Sequence, residues 1–358
     1  MRVLVRAPNW LGDIVMALPA IAGIRRHFSS DRLTIAGPTG LIRVVATVPG
    51  VDAFLALESV GTGTAGWVWR KHAQIIASGG FDNIILFPNS FHAAWVAKRA
   101  GVPERWGYGT SFRSWLLTRH VPRPARHLRR TRSQVEYYQG LIRELGIDPI
   151  LAEPHIAVSG GLRGRAGEFL ERYGWEPGTI TIGIAPGAAY GHAKRWPAGR
   201  FGELIKMLQY EFDATCVLVG SAGDRDAGYA IESWLQSVRY KVGPSDRVAS
   251  VSRVVNLIGR TDIKMLMGVL SFCRAMVSND SGAMHLAAAL GLPVTAVFGP
   301  TDERVTSPPG QHEVLTNPVW CRPCMLRECP IDHRCMTRIS SHRVFEAVSQ
   351  QVQAGILK

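Results

Sequence analysis

The stretch "VSNDSGAMHLAAALGLPVTAVFGP" (277–300) places Asp280, Ser281, Gly282 and His285 between two apolar runs. An apolar run that breaks into small polar residues and resumes at once reads as a buried strand turning into a buried helix. We expect a strand over 275–278, a turn at 280–282, a helix over 283–290 and a second strand over 294–298. That is one unit of a largely parallel α/β sheet. In such sheets a ligand lies beyond the carboxyl ends of the strands. Free N–H groups and the positive end of the helix dipole favour phosphate there. Two readings stand open: Asp280 and Ser281 cap the helix and His285 fills the core, or all four serve a phosphate-binding turn.

Outward from this stretch the same alternation repeats. Further strands are expected over 3–6, 33–36, 53–57, 83–87, 180–185, 215–219 and 254–258. Helices are expected over 14–27, 41–47, 65–77, 91–100, 200–210, 225–237, 263–272 and 342–352. The Gly- and Pro-rich region 153–178 reads as a junction. The expected fold class is α/β, with two doubly wound domains, 1–160 and 161–358, facing one cleft. The helix over 342–352 is expected to pack back on the first domain.

Two other loops have the same strand-to-helix character. In "PNWLGDIVMALPAI" (8–21), Gly12 permits a tight turn and Asp13 opens the helix. Asp13 suits a helix first turn, but a carboxylate at a strand's carboxyl end could also act as a general base. In "IAPGAAYGHAKRWP" (184–197), the backbone of Gly187 and Ala188 can form an anion nest. Lys194 is either a surface lysine or a diphosphate ligand that stabilises a leaving group.

Charge narrows the partner. Lys plus Arg total 41 against 28 acids, a net charge of +13, which predicts an anionic partner: nucleic acid, phosphorylated metabolite or acidic lipid. From Lys98 to Arg132 there are ten basic residues and one acid, Glu104, with Trp106, Tyr108, Trp115 and Leu116 interleaved. This reads as a solvated face or as an anion-binding surface. No apolar run reaches the roughly 20 residues that span a bilayer, and "MRVLVRAP" shows no signal-peptide pattern. Cytoplasmic residence is the expectation.

"NWLGD", "PGAAYGHAKRWP" and "SNDSGAMHLAAALGLPVTAVFGP", in this order, resemble the ADP-heptose:lipopolysaccharide heptosyltransferases, glycosyltransferase family 9. "LFPNSFHAAWVAKRAGVPERWGY" (86–108) and the AKRWP form are more similar to the heptosyltransferase II branch. The resemblance covers nearly the whole chain and implies the GT-B fold of two Rossmann-like domains. It implies an inverting transfer of heptose from ADP-heptose, held by the C-terminal domain, to the inner core on lipid A, held by the N-terminal domain. Asp13 would deprotonate the acceptor, and Lys194 would contact the diphosphate beside Gly187, Ala188, Ala189 and Tyr190. Ala189 and Tyr190 stand where the other branch has a hydroxyl pair, so backbone contacts would serve there. Asp280, Ser281, Gly282 and His285 match the donor-binding turn, and Thr261 in "LIGRTD" and Asp224 in "GSAGDRD" would line the nucleoside pocket. Asn9, Trp10, Gly12, Asn89, Ser90, Arg105 and Arg113 are the expected acceptor contacts. Asp224-Arg225-Asp226 resembles the Asp-x-Asp metal motif of other glycosyltransferases, but the resemblance implies metal-independent transfer with no catalytic cofactor. The implied partners are ADP-heptose, the lipid A–core acceptor and the cytoplasmic face of the inner membrane, peripherally, with no nucleic acid. Other readings are a GT-B transferase using a different nucleotide sugar, a sugar-nucleotide 2-epimerase, or a basic non-enzymatic module whose binding would be strongly salt-dependent.

Four of six cysteines cluster in "CRPCMLRECPIDHRC" (321–335): Cys321, Cys324, Cys329 and Cys335. In a cytosolic protein, C-x2-C spacing suggests a structural zinc or an iron–sulfur centre, with free or redox-paired thiols as the alternative. Cys216 and Cys273 lie in apolar runs and read as buried small hydrophobes.

Overall fold

The continuous apolar runs become the central strands of two parallel sheets. The structure is a computed structural model that describes residues 1–58, 65–110, 112–125, 127–239 and 253–356. The first sheet holds β1 (Arg2–Arg6), β2 (Arg32–Pro38), β3 (Ala53–Leu57), β4 (Asn83–Leu86), β5 (Glu104–Gly109) and β6 (Arg119–Pro122). The second holds β7 (Thr181–Ala185), β8 (Thr215–Leu218), β9 (Val254–Asn256), β10 (Ala275–Asn279), β11 (Val294–Phe298) and β12 (His312–Thr316). Their orders are β3-β2-β1-β4-β5-β6 and β12-β11-β10-β7-β8-β9. Every residue of β4, β7, β8, β10 and β11 is buried, as strands covered by helices on both faces require. Two units divide between Ile156 and Ala157. Among the described residues no helix is long and apolar enough to cross a membrane.

The element order explains where ligands can go. In the first sheet the order reverses between β1 and β4, and in the second between β7 and β10. Helices leaving the two strands at such a point cover opposite faces, so a crevice opens between their carboxyl ends. Asn9 and Ser90 follow the strands at the first of these points, and Lys194 and Asp280 follow those at the second.

Two expectations about organisation change. The region 153–178 contains helix Gly160–Arg172, started by Ser159, whose Oγ accepts from Leu162 N at 3.3 Å. Of its glycines, Gly167 serves close packing, since a Cβ there would stand 3.2 Å from the Phe272 ring; across from it, a Cβ on Gly268 of the helix Ile263–Leu270 would stand 2.6 Å from the Ala166 methyl. The final helix, Ser341–Ile356, buries Val344, Ala347, Val348 and Val352 in the core of the second unit, not the first. Gln351 anchors it by donating to Val294 O at 3.1 Å and accepting from Thr295 Oγ1 at 3.0 Å.

The basic stretch 98–132 is largely structural in its middle. It forms strands β5 and β6, with Tyr108 and Leu116 in the core. Ser111 and Arg126 lie outside the described residues. Arg113 is fully buried. Its Nε donates to Tyr108 O at 2.9 Å, and its Nη1 to Pro88 O at 2.6 Å and Ser90 O at 3.2 Å. Burial pulls its pKa down to about 10. Arg105 likewise donates to Leu116 O, Val102 O and Pro103 O, each within 2.7 Å. Both arginines therefore leave the expected acceptor set: they pin the loops that follow β4 and β5.

Removing the Arg113 fork would strand several buried carbonyls at once. Arg113→Ala should lower the unfolding free energy by about 2–4 kcal/mol in urea titrations. Arg113→Lys should recover less than half, because an ammonium cannot span these carbonyls. A loss within experimental error for both variants would mean that water replaces the guanidinium.

Candidate functional site

At the crevice between β7 and β10 the two loops are tied by side chains. Asn279, fully buried at the end of β10, accepts from Trp196 N at 3.1 Å and donates to Pro186 O at 2.7 Å. Trp196 is buried and donates from Nε1 to Ile339 O at 3.0 Å. One amide side chain thus fixes both ends of the loop that carries Gly187, Ala188, Ala189, Tyr190 and Lys194. Within that loop, Lys194 Nζ donates to Asp280 Oδ2 at 2.5 Å, with the two side chains 12% and 6% exposed. Thr301 Oγ1, from the loop after β11, donates to the same carboxylate oxygen at 2.6 Å. Breaking one side of such a buried pair costs about 3–5 kcal/mol. The ammonium also lies 4.9 Å from the centre of the Tyr190 ring, and Arg327 lies 5.3 Å from it. Tyr190 OH donates to Met325 O at 2.6 Å.

The turn after β10 lacks the capping bonds of one sequence reading but keeps its buried histidine. Helix Gly282–Ala289 has Ser281 at its N-cap, with no side-chain capping bond. Ser281 Oγ instead meets Ser278 Oγ at 3.0 Å, and the Asp280 carboxylate is taken by Lys194 and Thr301. The first-turn N–H groups are left for a ligand or water, with a cation beside them. His285, one turn in, is buried, and its Nδ1 has no hydrogen-bond partner. Burial drives its pKa down to about 4; Asp280 opposes the shift and Lys194 adds to it. A neutral imidazole is the result at ordinary pH.

Asp224 plays a different part from the one expected. Its carboxylate closes a capping box, accepting from Ser221 N at 3.0 Å and Ser221 Oγ at 2.7 Å, and it faces Arg195 Nη2 at 3.4 Å. Gly187 allows this approach: a Cβ there would lie 2.1 Å from the Asp224 carboxyl carbon. Asp224 is thus a brace between the loops after β7 and β8. Thr261 stands in the loop after β9, just before Asp262 caps the next helix through Met265 N at 2.7 Å.

In the first unit, helix Leu11–His27 begins directly after the β1 loop, with Trp10 at its N-cap and no side-chain cap. Gly12 is buried and Asp13 half-buried in the first turn. The Asp13 charge, after burial, helps push the Tyr138 hydroxyl well above its usual pKa. Trp10 is exposed. Asn89 donates to Tyr137 OH at 2.7 Å, and Ser90 caps the next helix through Ala93 N at 3.2 Å. Asn9 accepts from Arg6 Nη2 at 2.6 Å. Arg6, with His72 and His92 beside it, escaped the sequence reading because the three are far apart in the chain.

The cysteine cluster does not fit the expected metal. Cys321, Cys324, Cys329 and Cys335 are free thiols, and Cys335 is buried in the second unit's core. Burial, then the other three thiols, raises its pKa. Among the described residues, no group of three or more His, Cys, Asp or Glu side chains could hold a metal ion. The structure gives no support to a structural zinc or iron–sulfur centre there.

Comparison with known proteins places this geometry. The model of glycosyltransferase family 9 (heptosyltransferase) matches residues 69–334, more than half of the chain. The chain is 29% identical over 323 residues to lipopolysaccharide heptosyltransferase 2 of Escherichia coli, covering 87% of this chain and 86% of that one. It is 27% identical over 329 residues to lipooligosaccharide heptosyltransferase 2 of Haemophilus ducreyi, covering 88% of each. The solved structure of E. coli ADP-heptose lps heptosyltransferase II superposes with a TM-score of 0.79 at 25% identity, covering 99% of both chains. The GT-B fold, with two Rossmann-like units, follows from that match and from the sheet orders.

The buried neutral His285 has a measurable consequence. An unfolded imidazole takes up its proton near pH 6.5, the folded one only near 4. The unfolded chain therefore binds more protons in this window, and stability falls as pH drops through it. The slope contributed is up to about 1.4 kcal/mol per pH unit. Urea titrations from pH 7 to 4 should show a shallower decline for His285→Asn than for the parent. Parallel curves would mean that His285 titrates normally.

Proposed function

The chain belongs to glycosyltransferase family 9, the heptosyltransferases, and from that premise we propose that it moves heptose from ADP-heptose to the inner core of lipopolysaccharide. The observation that carries this reading is the uncapped start of helix Gly282–Ala289 beside the Lys194–Asp280 pair at the β7/β10 crevice. The pyrophosphate takes the free N–H groups and the positive dipole end. Lys194 exchanges part of its hold on Asp280 for the charge that grows on the departing ADP. Asp280, braced by Thr301, keeps the ammonium in place. Ala189 contributes backbone, and Tyr190 lies under the cation. Thr261 sits at the nucleoside end, and Asp224 positions the loop through Ser221 and Arg195. Transfer needs no metal in this reading because Lys194 and the helix supply the positive charge.

The first unit is the acceptor half. Asp13 takes the proton of the attacking hydroxyl, which displaces ADP from the opposite face of the anomeric carbon and inverts it. Asn9, Trp10, Asn89 and Ser90 surround the same strand ends and hold the acceptor core. Similarity to the E. coli and H. ducreyi proteins favours the second heptosyltransferase activity over a different nucleotide sugar.

The cytoplasmic face of the inner membrane is the proposed location, with peripheral attachment through the first unit. Support comes from Phe112, 94% exposed, and Trp115, 65% exposed, near the edge of helix Phe91–Arg99. Phe91 lies 6.4 Å from Trp115, and Lys98 Nζ stands 4.5 Å from the Trp115 ring. Exposed aromatics with adjoining cations suit an anionic lipid surface. A Phe112→Ala/Trp115→Ala variant should bind phosphatidylglycerol vesicles about tenfold more weakly while transferring to a soluble truncated acceptor at the parent rate. Equal vesicle binding would remove this patch from the membrane contact.

The base assignment is tested by Asp13→Asn, assayed with ADP-heptose and truncated core acceptors, the product being read by mass and linkage. Asn suits a helix first turn, so the fold should hold, apart from a charge–dipole loss of about 0.3–1 kcal/mol. Transfer should slow by about 10²–10⁴-fold while ADP-heptose binding persists. Turnover within a few-fold of the parent would make Asp13 a structural residue and send the search for the base elsewhere.

A further inference from the structure

The β1/β4 crevice holds a half-buried guanidinium with no carboxylate partner among the described residues. Arg6 ends β1 and donates from Nη2 to Asn9 Oδ1 at 2.6 Å and from Nη1 to Ala7 O. Among the described residues no carboxylate pairs with it, and burial alone brings its pKa down to about 10. Arg6, Asn9, His72, Ser90 and His92 line a cavity of about 20 Å³, walled elsewhere by apolar side chains. His72 is only 2% exposed, and its Nε2 has no hydrogen-bond partner. His92 Nε2 is also buried and unpartnered. The two rings lie 5.8 Å apart, and the His92 ring is held by stacking on Trp69 at 4.7 Å.

A single water would fit this space and could meet both imidazoles. It would leave the half-buried guanidinium without an anionic partner. An oxyanion answers all three groups together: Arg6 offers charge and direction, and the two unpartnered imidazole nitrogens line the same cavity. About 20 Å³ takes an oxygen of one acidic group, the rest of the group staying at the mouth, and excludes a sugar ring. We propose that Arg6, His72 and His92 form an oxyanion subsite that seats one carboxylate or phosphate group borne by the acceptor sugars. The identity of the acceptor rests on the reading given under Proposed function; the oxyanion site itself does not.

The protonation chemistry follows from the geometry. A neutral imidazole carries one ring proton, and the charged form that an oxyanion favours needs a second. Without ligand that proton is disfavoured on His72, by burial first and then by Arg6, with Lys71 adding and Glu58 opposing. His92 is pushed down to about 4 by burial, His72 and Arg6. An anion reverses these terms, so binding takes up protons and strengthens as pH falls.

Two measurements test the subsite. In the full chain with isotope-labelled histidine, acetate and inorganic phosphate are titrated in turn while the ring resonances are followed. The expected result is saturable shifts of His72 and His92, lost in Arg6→Met, with acetate affinity rising up to about tenfold per pH unit between pH 8 and 6. Absence of such shifts with both probes, or shifts that survive Arg6→Met, would overturn the proposal. In transfer assays Arg6→Met should raise the acceptor KM at least tenfold and leave the ADP-heptose KM unchanged. His92→Asn, which should act in the same direction, covers the case in which Arg6→Met fails to fold. Dephosphorylated and carboxyl-reduced acceptors separate the sources: the group whose removal abolishes the mutational effect is the one bound. An equal effect on every acceptor would exclude the subsite. A wild-type chain that transfers to no lipopolysaccharide acceptor would sink the functional reading instead, and the histidine titration would still decide the pocket.

Discussion

The buried pair between Lys194 and Asp280 is the interaction around which the second unit is arranged. It joins the loop after β7 to the loop after β10, the two strands between which the sheet order reverses. A buried ion pair contributes little net stability, because desolvation offsets attraction. Its value here is positional. Asn279 fixes the loop ends through Trp196 and Pro186, and Thr301 takes a further bond to the Asp280 carboxylate. The ammonium is thereby held near the helix start, and in the proposed reading an arriving pyrophosphate would meet aligned positive charge there with little reorganisation.

The first unit uses the same topology for a different purpose. At β1/β4 the cavity is lined by Arg6 and two imidazoles with unpartnered Nε2 atoms instead of a lysine–aspartate pair. A cation already paired with a carboxylate can release charge in proportion to what the substrate develops. An unpaired guanidinium is suited to a permanent anion that must be gripped and oriented. In the proposed reading the contrast gives leaving-group stabilisation to one crevice and the grip on an acidic group to the other.

Legibility in the sequence followed burial. The all-buried strands β4, β7, β8, β10 and β11 read as apolar runs, and their turns stood out because polar residues interrupt those runs. Strands β6 and β12 escaped because they lie at sheet edges and carry charge: "RHVP" exposes three of its four residues; β5, one strand in, escaped because "ERWGYG" mixes charge and glycine with its apolar residues. Helix Gly160–Arg172 escaped because its glycines signalled a loop, whereas Gly167 packs against Phe272. Lys194, Asp280 and His285 stood out as candidates because each sits within a short motif. Arg6, His72 and His92 did not, since only the fold brings residues of two helices and a strand end to one cavity. The cysteine spacing misled for the converse reason: short sequence separation brings thiols near one another without giving them a common centre.

Net charge is the coarsest of the sequence signals, and the fold divides it into separate jobs. Of the basic residues in the stretch 98–132, Arg113 and Arg105 bind backbone carbonyls, Arg119 lies 5.0 Å from the Trp106 ring, and Lys98 stands over Trp115 at the surface. A count of cations would assign them all to one anionic face. Their hydrogen-bond partners separate them: an arginine with several carbonyl acceptors is part of the frame, and a lysine over an exposed indole is available to lipid. Arg6 belongs to neither group. It is half-buried at the end of β1, bonded only to Asn9 and Ala7 O among the described residues. A guanidinium with free donors, partly withdrawn from water and facing two imidazoles, has more to gain from an anion than one spent on backbone carbonyls, and that difference is the ground for the proposed subsite.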